Sequence, residues 1–389
     1  METAIDGLQG PPDHPGDCDR VLATAKHFAG DGDTTYGTST SDYKIDQGVS
    51  ITNRRDFWQK ALRQHVPAVQ KHHVGSVMPS YSSVDWTEDG IGNPIKMHGN
   101  KELLTDVLKG SMDFDGFVIS DWEGIHQLPG DWPTQVRTGV NAGIDMMMEP
   151  AKYLEFETTL TDEVNAGRVT MSRIDDAVSR ILTKKFELGL FEHPYTDRTN
   201  LPAIGSPAHR AVARQAVAKS QVLLKNAGHA LPMKAKGRIY VAGSNADSIG
   251  NQAGGWTLTW QGGSTTKIPG TTILAGIRNA AGHATVTHSP DASAPIQKDD
   301  VGIVVVGETP TPRGSVTSAA LSGPGTRPTK CATSGQGHAA LRCRQGRGGQ
   351  GLLCRSKMRG CRCLGPATDP RSQTAVRDRR ARCRLAARQ

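Results

Sequence analysis

Short apolar segments alternate with longer segments of helical periodicity through the first half of this 389-residue chain. Four segments are short, apolar and bounded by Gly, Pro or Asp, which predicts four buried strands at residues 21–28, 74–81, 116–122 and 143–148. Helical spacing occupies the intervals between them, at residues 55–70, 100–109 and 134–141. Strand–helix–strand alternation at this interval is typical of parallel βαβ units, so we predict an α/β fold.

Two helices are predicted after the fourth strand. Helical spacing covers residues 153–165 and again residues 172–188. Ser172 lies at the start of the second segment with Asp175 three residues later, a spacing that predicts Ser172 as the N-cap.

A second α/β domain is predicted to begin near residue 208. Residues 200–207 are rich in Pro, Gly and Ser, which predicts an interdomain linker. A helix is expected at residues 209–219. Strands are expected beyond it at residues 221–225, 238–242 and 301–306.

The composition of the chain changes near residue 312. Residues 313–389 contain 15 Arg, 2 Lys and 2 acidic residues, a charge of +15, so the remaining residues carry −7 of the total +8. The same segment holds six of the seven Cys and no aromatic residue. With so little apolar surface to offset the entropy of ordering, we expect a disordered tail. Its composition is typical of a GC-rich gene read out of frame, which predicts a frameshift between residues 310 and 330.

The first candidate site motif runs from Lys26 to Asp33, at the carboxyl end of the first predicted strand. In a parallel α/β barrel this end of the strands carries the reacting groups, so a Lys, a His and an Asp here can converge on one ligand. The alternative is a structural His27 followed by a Gly-Asp-Gly turn.

The second motif places Asp121 at the end of an apolar strand, with Trp122 beside it. A carboxylate in this position can attack an anomeric carbon, and the indole offers an apolar face to a sugar ring. The alternative is that Ser120 or Asp121 only caps the following segment.

The third motif places Trp256 and Trp260 four residues apart in a Gly-rich segment. Such a pair can stack on pyranose rings, although two core tryptophans would explain it as well. The run of methionines at residues 146–148 is interpreted as part of a core strand rather than as a metal or thioether site.

Several kinds of site are not predicted. The sequence contains neither HExxH nor CxxC spacing, so we expect no metal site. Gly30-Asp31-Gly32 places an anion where a phosphate loop needs backbone amides and a Lys, so we expect no phosphate loop.

No apolar stretch reaches the roughly 18 residues of a membrane span. The polar, Pro-rich residues 1–16 lack the regions of a signal peptide, which by itself predicts a chain that is soluble and not exported.

The ordered motifs resemble glycoside hydrolase family 3, the β-glucosidases and exo-acting β-glucan hydrolases. The resemblance extends from about residue 4 to about residue 308 and rests on blocks that include KHFAGDG, SVMPSY, GFVISDWEG, AGIDMMM and IYVAGSNADSIGNQAGGWTLTWQG. It implies the carboxyl half of a (β/α)8 barrel at residues 1–199, the linker at 200–207 and an incomplete α/β sandwich domain at 208–312, followed by the tail at 313–389. The chain would therefore be truncated at its amino-terminal side.

The resemblance also implies roles for particular residues. Asp121 matches the family's catalytic nucleophile, and Lys26 and His27 match the pair that binds sugar hydroxyls next to the scissile bond. Trp122 and Trp260 match the aromatic clamp on the neighbouring sugar. The family's proton donor, a Glu from a later loop of the second domain, has no match, and neither Glu123 nor Glu308 fits its position.

The expected function is hydrolysis of terminal β-linked glucose from β-glucosides or β-glucan oligosaccharides by a retaining mechanism without a cofactor, impaired in this chain. One alternative is a carbohydrate-binding remnant that keeps Lys26, Trp256 and Trp260. The other is nucleic-acid binding through the basic tail, against which the tail lacks aromatic residues and any recognisable module. Full-length members of the family suggest a periplasmic or secreted location, and no specific nucleic-acid or membrane partner is expected.

Overall fold

The structure is a computed structural model that describes residues 1–11, 20–39, 45–233 and 237–310, and the backbone of a short ladder between residues 344 and 353. The strands are β1 (Thr24–Phe28), β2 (Val49–Thr52), β3 (Ser76–Pro79), β4 (Ser83–Trp86), β5 (Ile95–Lys96), β6 (Phe117–Val118), β7 (Arg238–Ala242), β8 (Thr285–Ser289), β9 (Val301–Val304), β10 (Arg344–Gln345) and β11 (Leu352–Leu353). The rest of the predicted disordered tail lies outside the described residues.

Helices occur throughout the same residues, which makes the architecture mixed α/β. The α-helices are α1 (Glu2–Gln9), α2 (Arg54–Phe57), α3 (Val66–Gln70), α4 (Trp132–Ala142), α5 (Tyr153–Asn165), α6 (Met171–Glu187), α7 (Pro207–Ser220), α8 (Ile249–Ala253) and α9 (Ile273–Ala280). Two π-helices are formed by Trp58–Leu62 and Glu102–Ser111. Among the described residues, no helix is long and apolar enough to cross a lipid bilayer.

The chain divides into two compact units. The first contains Met1–Gly228 and Ile249–Gly270, with a short segment that begins at Glu308. The second contains His229–Ser248 and Thr271–Gly307. The predicted domain boundaries at residues 199 and 208 remain predictions.

A three-stranded parallel sheet lies at the centre of the first unit, in the order β1-β3-β6. The prediction of strands at the first three positions is confirmed, with shorter bounds. The prediction of a fourth strand at residues 143–148 is wrong, because only Met146 forms a bridge, with Ile119. The side chain of Asp145 accepts the Val118 N–H at 2.8 Å and so takes the place of a backbone carbonyl in the ladder.

A second sheet in this unit was not predicted. Its order is β2-β4-β5, with β2 parallel to β4 and β5 antiparallel to it. Ser and Thr make up half of β2 and polar residues half of β4, so neither stood out as an apolar run. The Phe57 ring packs edge-on against Trp86, with the ring centroids 5.4 Å apart, and this contact attaches the sheet to the hydrophobic core of the first unit.

The helices agree with the predicted positions, but one cap does not. Residues 54–70 are helical throughout, and α4, α5 and α6 match the predicted helices to within two residues. The predicted N-cap at Ser172 is wrong, because Thr170 Oγ1 accepts the Arg173 N–H at 3.2 Å and the helix begins at Met171. The cap therefore lies two residues earlier than the Ser–Asp spacing indicated.

The second unit contains a parallel sheet of order β8-β7-β9. Ile239, Val241 and Ile303 bury their side chains in a small core with Leu274 of α9. The strands predicted at residues 238–242 and 301–306 are confirmed, whereas the strand predicted at residues 221–225 is wrong. That segment is irregular, and Val222, Leu223 and Leu224 are exposed, because no described strand pairs with them.

A buried ionic network connects β6 to two helices. The Asp145 carboxylate is fully buried and lies 2.7 Å from Lys109 Nζ, and it also contacts the Arg173 guanidinium. Lys109 lies in the π-helix Glu102–Ser111 and Arg173 lies in α6. The two cations are themselves largely buried, so Asp145 compensates charge that water does not reach.

We expect Asp145→Ala to lower the free energy of unfolding by about 3–5 kcal/mol, because it removes the buried one of the two carboxylates that Lys109 and Arg173 share and leaves them only the partly exposed Asp176. Urea denaturation measures the change. Asp106→Ala is the control, since its ion pair with Lys101 is exposed and should contribute about 0.5 kcal/mol. Equal losses in the two variants would contradict the role given to Asp145.

Candidate active site

Two strand ends bring predicted site residues together. Lys26 and His27 lie in β1, and Asp121 follows β6 by three residues. Because β1 and β6 both run parallel to β3, their carboxyl ends lie at the same edge of the sheet. His27 Nε2 lies 3.3 Å from Asp121 Oδ2 across this edge.

The imidazole of His27 lies between two carboxylates. Its Nδ1 is 3.0 Å from Asp31 Oδ2, and its Nε2 faces Asp121. The hydrogen bonds with Asp121 and Asp31 outweigh the effect of burial and raise the pKa of His27 from 6.5 to about 9. At neutral pH the ring is therefore a cation that donates from both nitrogens.

Asp121 is ionised at neutral pH. Burial raises the pKa of its carboxyl, but the hydrogen bond from His27 and the N–H of Trp122, which donates to Asp121 Oδ1 at 2.7 Å, act against it, as does the charge of Lys26. The net result is a pKa below the ordinary value. The side chain is 17 % exposed, so an ionised, accessible carboxylate lies at the strand edge.

Asp31 is a site residue that the sequence motif contained but did not single out. Its Oδ1 accepts from the hydroxyl groups of Ser80 and Ser82, the second at 3.0 Å. Burial raises the pKa of Asp31, and the bonds from His27 and Ser80 lower it to a net value below the ordinary one. The Gly-Asp-Gly turn indicated Asp31, but the two serines that hold it are about fifty residues away in the sequence.

The backbone of Asp121 is held by a second histidine. His98 is fully buried and its Nε2 accepts the Asp121 N–H at 3.1 Å. Burial lowers the pKa of His98 to about 4, so the ring is neutral and can accept this bond. A Cβ at Gly124 would overlap the His98 ring, which explains why glycine follows the SDWE sequence.

Trp122 is 58 % exposed, so its indole is accessible from solvent. Its backbone is fixed on both sides, since its N–H donates to Asp121 and its carbonyl accepts from the Tyr81 hydroxyl. The indole is therefore presented from a constrained loop.

The Trp pair lies in the same unit as Asp121. The ring centroids of Trp256 and Trp260 are 6.3 Å apart in an edge-to-face arrangement. Lys26 Nζ lies 5.2 Å from the centroid of Trp256, within cation–π range. Trp256, which was not among the residues matched to the family's clamp, thus contacts a predicted site residue, and the role of Trp260 remains a prediction.

A cavity of about 510 Å³ opens beside the strand edge. Its lining includes Lys26, His27, Asp31, Lys60 and His65. Within the described ranges, no group of three or more His, Cys, Asp or Glu side chains is arranged to hold a metal ion.

Two family models match the chain. The N-terminal domain of glycosyl hydrolase family 3 matches residues 1–184, and the C-terminal domain of the same family matches residues 221–333. The chain belongs to glycosyl hydrolase family 3. The second match ends within the Arg- and Cys-rich segment that begins at residue 313.

Several known proteins are similar to the chain in sequence or in fold. A lysosomal β-glucosidase of Dictyostelium discoideum is 32 % identical over 79 % of this chain and 39 % of its own length. An exo-1,3/1,4-β-glucanase from a Pseudoalteromonas species, solved as a mutant, is 36 % identical, with a TM-score of 0.69 over 79 % of this chain and 49 % of that one. A mutant β-glucosidase of Listeria innocua in complex with laminaribiose is 26 % identical, with a TM-score of 0.63 over 78 % of this chain and 41 % of that one.

The chain spans about two fifths of the length of the curated relatives, with 39 % of the Dictyostelium enzyme and 35 % of a periplasmic β-glucosidase from Salmonella typhimurium. Those two proteins are β-glucosidases by name.

We expect Asp31→Asn to lower the pKa of His27 from about 9 toward 6.5, because the ring loses one of its two anionic partners. NMR titration of the imidazole measures this directly. Since the folded pKa exceeds the ordinary one, protonated His27 stabilises the fold fully below pH 6.5, and that contribution is lost as pH rises through about 9. The variant should show a smaller loss of stability over this interval.

Asp33→Asn is the matched control for this titration, because its carboxylate lies 3.4 Å from Lys60 Nζ. The His27 titration should be unchanged in this variant. A pKa that shifts equally in both variants would show that general charge, not the bridge to Asp31, holds the proton on His27.

Proposed function

We propose that the chain is part of a retaining exo-β-glycosidase that releases terminal β-linked glucose from β-glucosides or β-glucan oligosaccharides. The observation that carries this proposal is the ionised Asp121, held between the cationic His27 and the Trp122 N–H at the carboxyl edge of a parallel sheet. Membership of family 3 and the β-glucosidase names of relatives support the substrate class.

In the proposed reaction an Asp121 carboxylate oxygen attacks the anomeric carbon. A bond forms between that carbon and Asp121 while the bond to the leaving oxygen breaks, and the leaving oxygen takes a proton from solvent. The oxygen of a water molecule then attacks the same carbon while the bond between that carbon and Asp121 breaks. The water gives up one proton to solvent, the sugar is released and Asp121 returns to its ionised form. An ionised carboxylate is the form that this first step requires, which agrees with the lowered pKa of Asp121.

Lys26 and His27 are proposed to bind hydroxyl groups of the sugar that is attacked. Both are cationic donors beside the cavity, and a charged donor binds a hydroxyl oxygen more strongly than a neutral one. Trp122 and Trp260 are proposed to contact the neighbouring sugar through their apolar faces. The wide exposure of both indoles is compatible with this role.

The finer description of the fold is also a proposal. The parallel order β1-β3-β6 with intervening helices supports the carboxyl half of a (β/α)8 barrel at residues 1–199. The sheet β8-β7-β9 supports an α/β sandwich domain within residues 208–312. Active-site residues at the carboxyl ends of β1 and β6 agree with the location that such barrels use.

Turnover by this chain is proposed to be impaired. A retaining mechanism needs a second carboxyl about 5 Å from the nucleophile to protonate the leaving oxygen. We assign this role to no residue, because neither Glu123 nor Glu308 matches the position of the family's proton donor. The step most affected is therefore departure of a poor leaving group.

Replacing the nucleophile should remove activity. We expect Asp121→Asn to lower hydrolysis of an aryl β-glucoside at least about a thousandfold, because an amide cannot form the ester. Asp106→Asn, which alters an exposed carboxylate on the π-helix, should leave the rate unchanged. Equal rates for the Asp121→Asn variant and the original chain would exclude Asp121 as nucleophile.

The covalent step has its own test. A 2-fluoro-β-glucoside with a good leaving group should label the chain with one glycosyl unit, located by mass spectrometry on the peptide that contains Asp121. A label on another residue would overturn the assignment, and sugar binding with neither label nor turnover would favour the carbohydrate-binding alternative.

The proposed lack of an acid predicts a steep dependence on the leaving group. The dinitrophenolate of a dinitrophenyl β-glucoside leaves without taking a proton. This substrate should therefore react about a hundredfold or more faster than an alkyl β-glucoside, since general acid catalysis contributes roughly 10²–10⁴-fold. Comparing kcat/KM for the two substrates measures this. Similar values would show that a proton donor is present and that the chain is not impaired.

A further inference from the structure

A network of hydrogen bonds surrounds the loop that carries Asp121 and Trp122, and Lys96 lies at the centre of this network. Lys96 is the last residue of β5, paired across from Ser83 of β4, and its side chain is half-buried. Its ammonium donates to the Tyr81 carbonyl at 2.9 Å and to Gln127 Oε1 at 3.0 Å. One cation thus joins two loops that reach the strand edge.

The first branch of this network leads to Trp122. Tyr81, whose carbonyl Lys96 holds, donates its hydroxyl to the Trp122 carbonyl, and its ring lies 5.6 Å from that of His98. His98 in turn accepts the Asp121 N–H. Displacement of Tyr81 would therefore change two backbone contacts of the Asp121–Trp122 loop, at the Trp122 carbonyl and at the Asp121 N–H.

The second branch fixes the direction of two amides. Because an ammonium only donates, it selects the Oε1 face of Gln127, and the Nε2 of Gln127 then donates to Gln47 Oε1 at 3.0 Å. Gln47 is 7 % exposed, and its Nε2 has no partner among the described residues. Lys96 thereby determines the orientation of the Gln127 and Gln47 side-chain amides.

We propose that Lys96 is a positioning residue of the candidate active site, which through its hydrogen bonds to Tyr81 and Gln127 holds the Asp121–Trp122 loop so that the Trp122 indole meets the neighbouring sugar in one orientation. The inference rests on the proposed function for the identity of the ligand. The ammonium acts through its two acceptors and does not itself contact the sugar.

Lys96→Met should weaken binding of a non-hydrolysable S-linked laminaribiose about tenfold, because the hydrogen bonds of the ammonium to Tyr81 and Gln127, which hold the Trp122 loop, are lost. Binding of glucose, which needs only the inner position, should change less than about twofold. Titration of tryptophan fluorescence measures both dissociation constants. Equal weakening for the two sugars would overturn the proposal, since it would show a general loss of structure.

Three further variants separate orientation from folding and charge. Lys96→Arg, which keeps a cationic donor, should stay within about threefold of the original affinity. Lys101→Met removes an exposed ammonium and should have no effect. Gln127→Leu should weaken laminaribiose binding, and adding Lys96→Met to it should cost less than Lys96→Met alone, because the residues act through one contact. Full additivity of the two substitutions would contradict the proposal.

Hydrogen exchange provides a readout that does not depend on the sugar. Lys96→Met should increase amide exchange at residues 121–124, and Lys101→Met should not. If no β-glucoside binds to the original chain, the proposed function fails while exchange still decides the role of Lys96. Unchanged exchange at these amides would overturn the positioning role even if the sugar binds.

Discussion

The fully buried carboxylate of Asp145 holds β6 in place, and β6 delivers Asp121 to the candidate site. Asp145 accepts the Val118 N–H and contacts Lys109 and Arg173, so one side chain joins the sheet to two helices. A buried anion with two buried cations tolerates little displacement, because each charge depends on its partners for compensation. The position of the Asp121 loop therefore follows from electrostatics beneath it as well as from the parallel ladder.

At the strand edge the same principle operates with a histidine as the shared ion. His27 stays protonated because Asp31 and Asp121 flank it, and each carboxylate stays ionised partly because His27 is charged. His98 has the opposite state, since burial without an adjacent carboxylate bond leaves it neutral and able to accept. Two histidines of one site thus differ in charge because of their surroundings, and both stabilise the orientation of Asp121.

Much of the first unit could be predicted because its strands and helices are apolar enough to show their periodicity. The segment at residues 153–165 became α5 with the predicted bounds, and in the second unit β7 also has the predicted bounds. The segment at residues 143–148 has the composition of a strand, but in the folded chain only Met146 pairs with the neighbouring strand, while the Asp145 side chain accepts the Val118 N–H. The segment at residues 221–225 has the composition of a strand, but a strand also needs a paired neighbour, and none is described.

Local order along the chain is enough to give the α/β alternation, the division of charge near residue 312 and the placement of Lys26, His27 and Asp121 at strand ends, so the amino-acid sequence predicts them. The sequence also carries the motifs that family 3 shares. The folded structure alone shows that Asp31 bridges to His27, that Ser80 and Ser82 hold Asp31, and that Trp256 covers Lys26. Most of those contacts join residues tens to hundreds of positions apart, and their distances and charges exist only after the chain has packed.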